Sequence, residues 1–339
     1  MDKVLVTGIS GFLGGHVART LLEHGYQVRG TLRDIARSHA VRTALTHAGA
    51  DISGLEFVEL DLLDDQGWTD AVQGCRFVQH IASPFLLTMP KDAQELIRPA
   101  VEGTQRIVTA ALKQGAERII LTSSLAAIDG GHDDYDVLFD ETIWTNIAGA
   151  YVSAYARSKT IAEQAAWDIV QQAGQDTRLA VINPGTMLGP LLDEDVGTSV
   201  RIVQQLLEGA MPMLPDLILP YVDVRDVADA QVAAMTATNA GGKRHIITNA
   251  SMSLPALAQM LNEEFAPEGR SIKIRPMPAW LAKLFAHFDA SLKGSRTYLG
   301  VQRRYDGHRG EQLLGRPLRT TREAVLATAA SLVRLSSDI

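Results

Sequence analysis

Lys3-Val4-Leu5-Val6-Thr7-Gly8-Ile9-Ser10-Gly11-Phe12-Leu13-Gly14 is the stretch whose reading decides the fold. A β-branched apolar run ends in Thr7-Gly8, three glycines follow at the spacing Gly-x-x-Gly-x-x-Gly, and a helical pattern then begins. Gly8 lets the chain turn sharply off the strand. Gly11, lacking a Cβ, lets a pyrophosphate approach the backbone, and Gly14 lets the next helix pack tightly on the sheet. The free N–H groups and positive dipole end of that helix then face the phosphates. A glycine triplet alone would be no more than a tight strand-to-helix turn. Between a strand and a helix it is a dinucleotide seat, formed by Gly8, Ser10, Gly11, Phe12, Leu13 and Gly14.

Outward from this turn, His16 to His24 reads as an amphipathic helix stopped by Gly25, and Tyr26 to Arg33 as a second strand. In NAD-binding sheets an acidic residue at the end of that strand accepts the ribose 2′-OH. Here the strand ends in Leu32-Arg33, and the planar fork of an arginine suits a 2′-phosphate, which favours NADP over NAD. Asp34 is the acidic alternative. A third strand, Leu55 to Leu62, ends in Asp61-Leu62, where an aspartate can meet an adenine amino group. Trp68 to Val72 reads as a short helix. Phe77 to Pro84 is a fourth strand whose end, Ala82-Ser83, is small enough to lie against a dinucleotide, and His80 within it reads as a satisfied core histidine. A long helix over Asp92 to Gln114 contains Gly103, a place of close approach. A strand over Arg118 to Ser124, a helix from Tyr151 to about Ala173 and a strand over Leu179 to Gly185 follow.

Strand alternating with helix predicts an α/β fold, a Rossmann-type doubly wound parallel sheet. Beyond Pro184 the rhythm breaks. Helices are expected over Ser199 to Glu208, Ala228 to Thr236, Leu254 to Phe265, Ala279 to Phe288 and Thr320 to Val333, with strand character at Tyr221 to Val227 and Arg244 to Thr248. The expected division is a dinucleotide-binding domain over 1–183, with 221–250 returning to it, and a smaller mixed substrate lobe over 184–220 and 251–339.

The chain has 339 residues, of which 46% are hydrophobic and 21% charged, and a formal net charge of −7. That balance favours neither a nucleic acid nor an anionic membrane as partner, and no apolar run is long enough to span a bilayer. The first strand begins almost at Met1, which leaves no room for a signal peptide. The lone cysteine, Cys75, excludes an internal disulfide and reads as a small buried residue. A cytoplasmic protein without a metal site is expected, as a monomer or a homodimer.

Tyr155 and Lys159 stand four residues apart on one face of a predicted helix. A cationic lysine lowers the pKa of a nearby tyrosine, which can then give a proton to a developing alkoxide. Ser124 ends a strand of the same parallel sheet, so all three can converge on its carboxyl edge, with Ser123 as the competitor.

Thr7-Gly8-x-x-Gly11-x-x-Gly14, Thr122-Ser123-Ser124, Tyr155-x-x-x-Lys159 and Asn183-Pro184-Gly185 together resemble the extended short-chain dehydrogenase/reductases. Arg29 to Arg33, His80 to Pro84, Leu188-Gly189-Pro190 and Val222 to Ala228 narrow the resemblance to the branch of dihydroflavonol reductases, cinnamoyl-CoA reductases and microbial aldehyde/ketone reductases. The resemblance implies Tyr155 as proton donor, Ser124 as a hydrogen-bond donor to the substrate oxygen, and Lys159 as holder of the nicotinamide ribose. It also implies that Pro184, Gly185, Thr186 and Met187 pass beside the nicotinamide and that Ser199 reaches the cofactor from the second lobe. Ala40 falls where the family has a second basic residue for the 2′-phosphate, with Arg37 as a substitute. Asp129 falls where plant flavonoid reductases carry a polar amide, and Phe85 and Tyr221 join it as candidate substrate contacts. The implied activity is NADPH-dependent reduction of an aldehyde or ketone, reversible as alcohol oxidation. A sugar epimerase/dehydratase or hydroxysteroid dehydrogenase on the same scaffold, and a non-catalytic dinucleotide sensor, are the competing readings.

Overall fold

The structure is a computed structural model that describes residues 1–84, 92–194, 197–268, 272–288 and 296–337. The first half runs β1 (Lys3–Thr7), α1 (Phe12–Glu23), β2 (Gln27–Leu32), α2 (Ser38–His47), β3 (Leu55–Glu59), α3 (Trp68–Val72), β4 (Phe77–His80), α4 (Gln94–Lys113) and β5 (Arg118–Thr122). Then come β6 (Leu138–Phe139), α5 (Ala154–Gln172), β7 (Leu179–Pro184), β8 (Thr186–Leu188), α6 (Thr198–Leu207), β9 (Ile218–Asp223), α7 (Val224–Thr236) and β10 (Lys243–Ile247). The chain closes with β11 (Ser251–Ser253), α8 (Leu254–Phe265), α9 (Ala279–Phe288), β12 (Arg304–Tyr305), α10 (His308–Leu314) and α11 (Thr321–Ser337).

Seven strands form one sheet in the order β10-β7-β5-β4-β1-β2-β3, and every neighbouring pair is parallel. The alternation along β1 shows why it must be apolar on both sides. Val4 and Val6 pack into the core shared with α1 and α7, while Leu5 joins the opposite core with α3, α4 and α5. Covered on both faces, the sheet presents all its carboxyl ends along one edge.

The chain leaves this sheet after β7 to build β8, α6 and β9, and returns through α7 to add β10 beside β7. Strands β11, β9 and β8 make a separate three-stranded sheet, whose core of Leu188, Val200, Leu257 and Val325 is shared with α6, α8 and α11.

Several boundaries differ from the sequence expectation for local reasons. Helix α7 begins at Val224, ahead of the expected Ala228, because the Asp223 carboxylate accepts the Arg225 N–H at 2.9 Å. Helix α5 begins at Ala154, after the expected Tyr151, because the Ser153 hydroxyl caps the Ala156 N–H at 3.0 Å. Tyr151, at φ 60°, stands in a left-handed turn ahead of it. Helix α2 was not anticipated. It buries only Val41, Ala44 and Leu45 within a polar run, too weak a stripe to read. Helix α10, which buries Gly310 and Leu313, was missed for the same reason. Among the described residues no helix is long and apolar enough to cross a membrane, and no group of His, Cys, Asp and Glu could hold a metal ion.

Candidate active site

The glycine turn leaves β1 with Gly8 at φ +70°, in the left-handed region that favours glycine. A Cβ on Gly8 would also stand 2.9 Å from Ala82 Cα, so this residue lets the ends of β1 and β4 touch. A Cβ on Gly14 would overlap the Gly8 carbonyl oxygen, which is the close helix–strand packing expected of it. Gly11 has ordinary extended geometry, with φ −88°, and caps α1 without any side-chain hydrogen bond. The first turn of α1 carries no acidic residue, so its N–H groups and dipole are left to an anion.

Thr7, at the end of β1, secures the neighbouring strand. Its Oγ1 accepts the N–H groups of Ile81 at 3.1 Å and Ala82 at 3.0 Å, and lies 2.9 Å from His80 Nδ1. With both lone pairs used, the Thr7 proton points to Nδ1. That assigns the His80 proton to Nε2, which faces Thr104 Oγ1 at 3.3 Å. Burial, aided by the charge of Lys159, pushes His80 down to about 3, so it is a neutral core imidazole. The sequence expectation for His80 and the position of Ala82-Ser83 are thus explained by one threonine.

At the end of β5 the two serines diverge. Ser123 turns inward and its Oγ donates to Glu163 Oε2 at 2.5 Å. Ser124 turns the other way. Its Oγ accepts the Ala126 N–H at 3.1 Å, and its side chain acts on the Tyr155 phenol. Lys159, one helical turn on, is buried and donates from Nζ to the Thr122 carbonyl at 3.2 Å. Tyr155, Ser124 and Lys159 therefore meet at the carboxyl edge of the sheet.

The electrostatics differ from the sequence expectation. The Tyr155 phenol is held above its ordinary value by burial, with the Ser124 hydrogen bond working against that rise; Lys159 is not among the causes. Burial pushes Lys159 itself down to about 8, opposed by the charge of Glu163. Burial is the leading cause for both groups.

A buried charge cluster lies behind this group, and sequence reasoning missed it. Arg244 of β10 donates from Nε to Glu163 Oε1 at 2.6 Å, and Asn183 of β7 donates to Glu163 Oε2 at 3.0 Å and to the Ser124 carbonyl at 3.2 Å. The guanidinium also stacks on Trp144, 3.9 Å from the ring centroid. A signal was available: Glu163 follows Lys159 at the same four-residue spacing that paired Lys159 with Tyr155.

The other expected site residues are placed as follows. Arg33 is exposed just past β2 with no ion pair among the described residues, while Asp34 spends a carboxylate oxygen capping the next turn through the Ala36 N–H at 2.9 Å. Asp61 caps its own turn through Leu63 N–H at 2.8 Å, and Leu62 is the neighbour Gly103 makes room for, 2.6 Å from a Cβ built there. Leu13 points into the core, so only its backbone is available to a ligand, whereas Ser10, Gly11 and Phe12 line a cleft with Leu192 and Asp193. Gly185, Thr186 and Met187 lead from Pro184 into β8. Ser199 lies in the first turn of α6, whose preceding Gly197 approaches Phe12, with a built Cβ 3.7 Å from that of Phe12.

Two of the three expected substrate contacts are taken up by the interior. Asp129 pairs with Arg303 at 2.7 Å and accepts the hydroxyls of Tyr298 at 3.0 Å and Tyr305 at 2.6 Å. Tyr221 is wholly buried in the core beside the three-stranded sheet, and its hydroxyl meets no hydrogen-bond partner among the described residues. Phe85 lies outside the described residues.

Residues 4–249 match the NAD dependent epimerase/dehydratase family, and the chain belongs to it. It is thereby an extended short-chain dehydrogenase/reductase, with relatives in the branch its motifs resemble. Over 267 residues it is 34% identical to the cinnamoyl-CoA reductase CAD2 of Medicago truncatula, spanning 77% of this chain and 80% of that protein. It is 33% identical over 295 residues to tetraketide alpha-pyrone reductase 1 of Arabidopsis thaliana, spanning 85% and 88%. Among solved structures it is similar to yeast methylglyoxal/isovaleraldehyde reductase Gre2 complexed with NADPH, with a TM-score of 0.80 and 26% identity over 99% of this chain and 100% of that one. Gre2 from Candida albicans, also in complex with NADPH, gives 0.79 at 25% identity over 98% and 99%.

Proposed function

We propose that this chain is an NADPH-dependent reductase of aldehydes or ketones, reversible as an alcohol dehydrogenase. The observation that carries the reading is the convergence of Tyr155, Ser124 and Lys159 at the strand edge reached from the glycine turn, with Lys159 Nζ donating to the Thr122 carbonyl. The residues present fit the dinucleotide. The uncapped N-terminus of α1 suits its pyrophosphate, the contact of Gly8 with Ala82 shapes the seat, and exposed Arg33 suits a 2′-phosphate. When bound, NADPH supplies the hydride. Tyr155 donates a proton to the oxygen that becomes an alkoxide, Ser124 holds that oxygen in place, and cationic Lys159 binds the ribose and eases the loss of the phenolic proton. The carbonyl substrate accords with the names of relatives such as the methylglyoxal/isovaleraldehyde reductase and the cinnamoyl-CoA reductase.

The test is turnover of a panel of aldehydes, ketones and secondary alcohols with both nicotinamide cofactors, repeated with Tyr155→Phe. The variant is expected to lose at least ~100-fold in kcat with NADPH binding unchanged. Full activity in the variant would remove Tyr155 from the role. Tight NADPH binding with no turnover on the panel would point to a dinucleotide sensor.

A further inference from the structure

We infer that Glu163 is a positioning residue of this site: clamped by Arg244 and Asn183, one helical turn from Lys159, its carboxylate holds Ser123 back so that Ser124 is presented to Tyr155. The inference deepens the reductase reading and rests on it.

Both oxygens of Glu163 are committed. Oε2 accepts Ser123 Oγ at 2.5 Å, Asn183 Nδ2 at 3.0 Å and Arg244 Nη2 at 3.4 Å, and Oε1 accepts Arg244 Nε at 2.6 Å. The donors come from the residue just past β5 and from the adjacent strands β7 and β10, so one carboxylate ties the sheet to α5 just behind the site. The side chains of Glu163 and Arg244 are 0% and 6% exposed. A buried ion pair is a poor source of stability, because apolar side chains of the same volume serve as well. Its placement against the strand end that carries Ser124 calls for another reason. The Asn183 amide supplies one, since the same nitrogen bonds both Glu163 and the Ser124 carbonyl.

The groups facing Lys159 are Tyr155 and Glu163 on its own helix, neutral His80 from β4, the Thr122 carbonyl from β5, and Arg244 from β10 through its pair with Glu163. Burial draws Lys159 toward neutrality and Glu163 opposes it. Glu163→Gln keeps the shape, removes the charge and leaves Arg244 unpaired, so both changes push the lysine the same way.

Wild-type turnover on the carbonyl panel tests the reduction itself. Competitive acetylation of Lys159 from about pH 6 to about pH 10, read by peptide mass spectrometry, follows its titration without reference to turnover. In Glu163→Gln the Lys159 midpoint is expected to fall by about one pH unit, and kcat at about pH 8 by about tenfold, with the KM for NADPH within about twofold of wild type. Glu163→Asp, which keeps the charge, is expected to return the midpoint toward wild type. A folded Glu163→Gln with unchanged midpoint and unchanged kcat overturns the inference. Should Glu163→Gln give no folded protein, Ser123→Ala decides: lower kcat at unchanged KM supports the inference, and unchanged kcat overturns it. A shifted midpoint in a protein that turns over no carbonyl supports the hold of Glu163 on Lys159 while removing the reductase reading.

Discussion

Arg33 and Asp34 are neighbours of opposite charge at the end of β2, and their surroundings separate them. Asp34 is engaged in capping the turn after it, while Arg33 stands exposed with no ion pair among the described residues. A guanidinium in that state breaks no ion pair when it turns to a phosphate, and its fork geometry matches phosphate oxygens. Arg33→Asp is therefore expected to move the ratio of kcat/KM for NADPH over NADH toward NADH by at least ~10-fold, measured by initial rates with each cofactor. An unaltered ratio would show that Arg33 does not read the 2′-phosphate. The same scale explains why the two serines at the β5 end are not interchangeable: Ser123 is spent on Glu163, and Ser124 is left to act on the Tyr155 phenol.

The glycine turn is the element on which the cofactor reading rests, and its glycines do different work. A Cβ on Gly14 would overlap backbone oxygen that cannot move without shifting β1 or α1, whereas a Cβ on Gly11 would lie 3.4 Å from Gly8 O, an ordinary contact. Gly14→Ala is thus expected to lower stability by about 1–3 kcal/mol and to weaken NADPH binding with it. Gly11→Ala is expected to leave the unfolding temperature unchanged while weakening NADPH by at least ~10-fold, because only the bound pyrophosphate needs that space. Thermal unfolding and fluorescence titration of NADPH separate the two. Equal NADPH affinity in Gly11→Ala and wild type would place the pyrophosphate elsewhere.

For the whole molecule, His16 ties α1 to the chain just past β8: its Nε2 lies 2.9 Å from the Pro190 carbonyl, and its ring packs edge-on against Phe12, centroids 5.5 Å apart. Burial pushes His16 down to about 4, and His245 likewise. Together with His80, these histidines are neutral when folded and protonate near 6.5 when unfolded. Their contribution to stability is complete above pH ~6.5. It is lost as the pH falls toward their folded values, because only the unfolded chain then binds protons, at up to ~1.4 kcal/mol per pH unit for each. Thermal unfolding from about pH 7.5 to about pH 4.5 is expected to show a falling midpoint, shallower in His16→Gln, which keeps a donor for the Pro190 carbonyl. A midpoint independent of pH, or a slope unchanged in the variant, would contradict this.

The local patterns of the chain determined the parallel sheet, the glycine turn and the spacing of Tyr155 and Lys159, because strand alternation, helical period and glycine placement are short-range properties. The family branch was legible for the same reason, since its motifs are short runs. Tertiary structure alone decided what each polar group bonds. The Arg244–Glu163 bond spans 81 positions and the bond from Arg303 to the Asp129 carbonyl spans 174, so neither follows from any period in the sequence. Asp129 and Tyr221, polar residues in loop and strand, were expected at the substrate; the fold encloses one with a buried arginine and two tyrosines and the other among apolar side chains. Burial likewise set the charge balance at the site, raising the Tyr155 phenol that spacing alone had paired with a nearby cation.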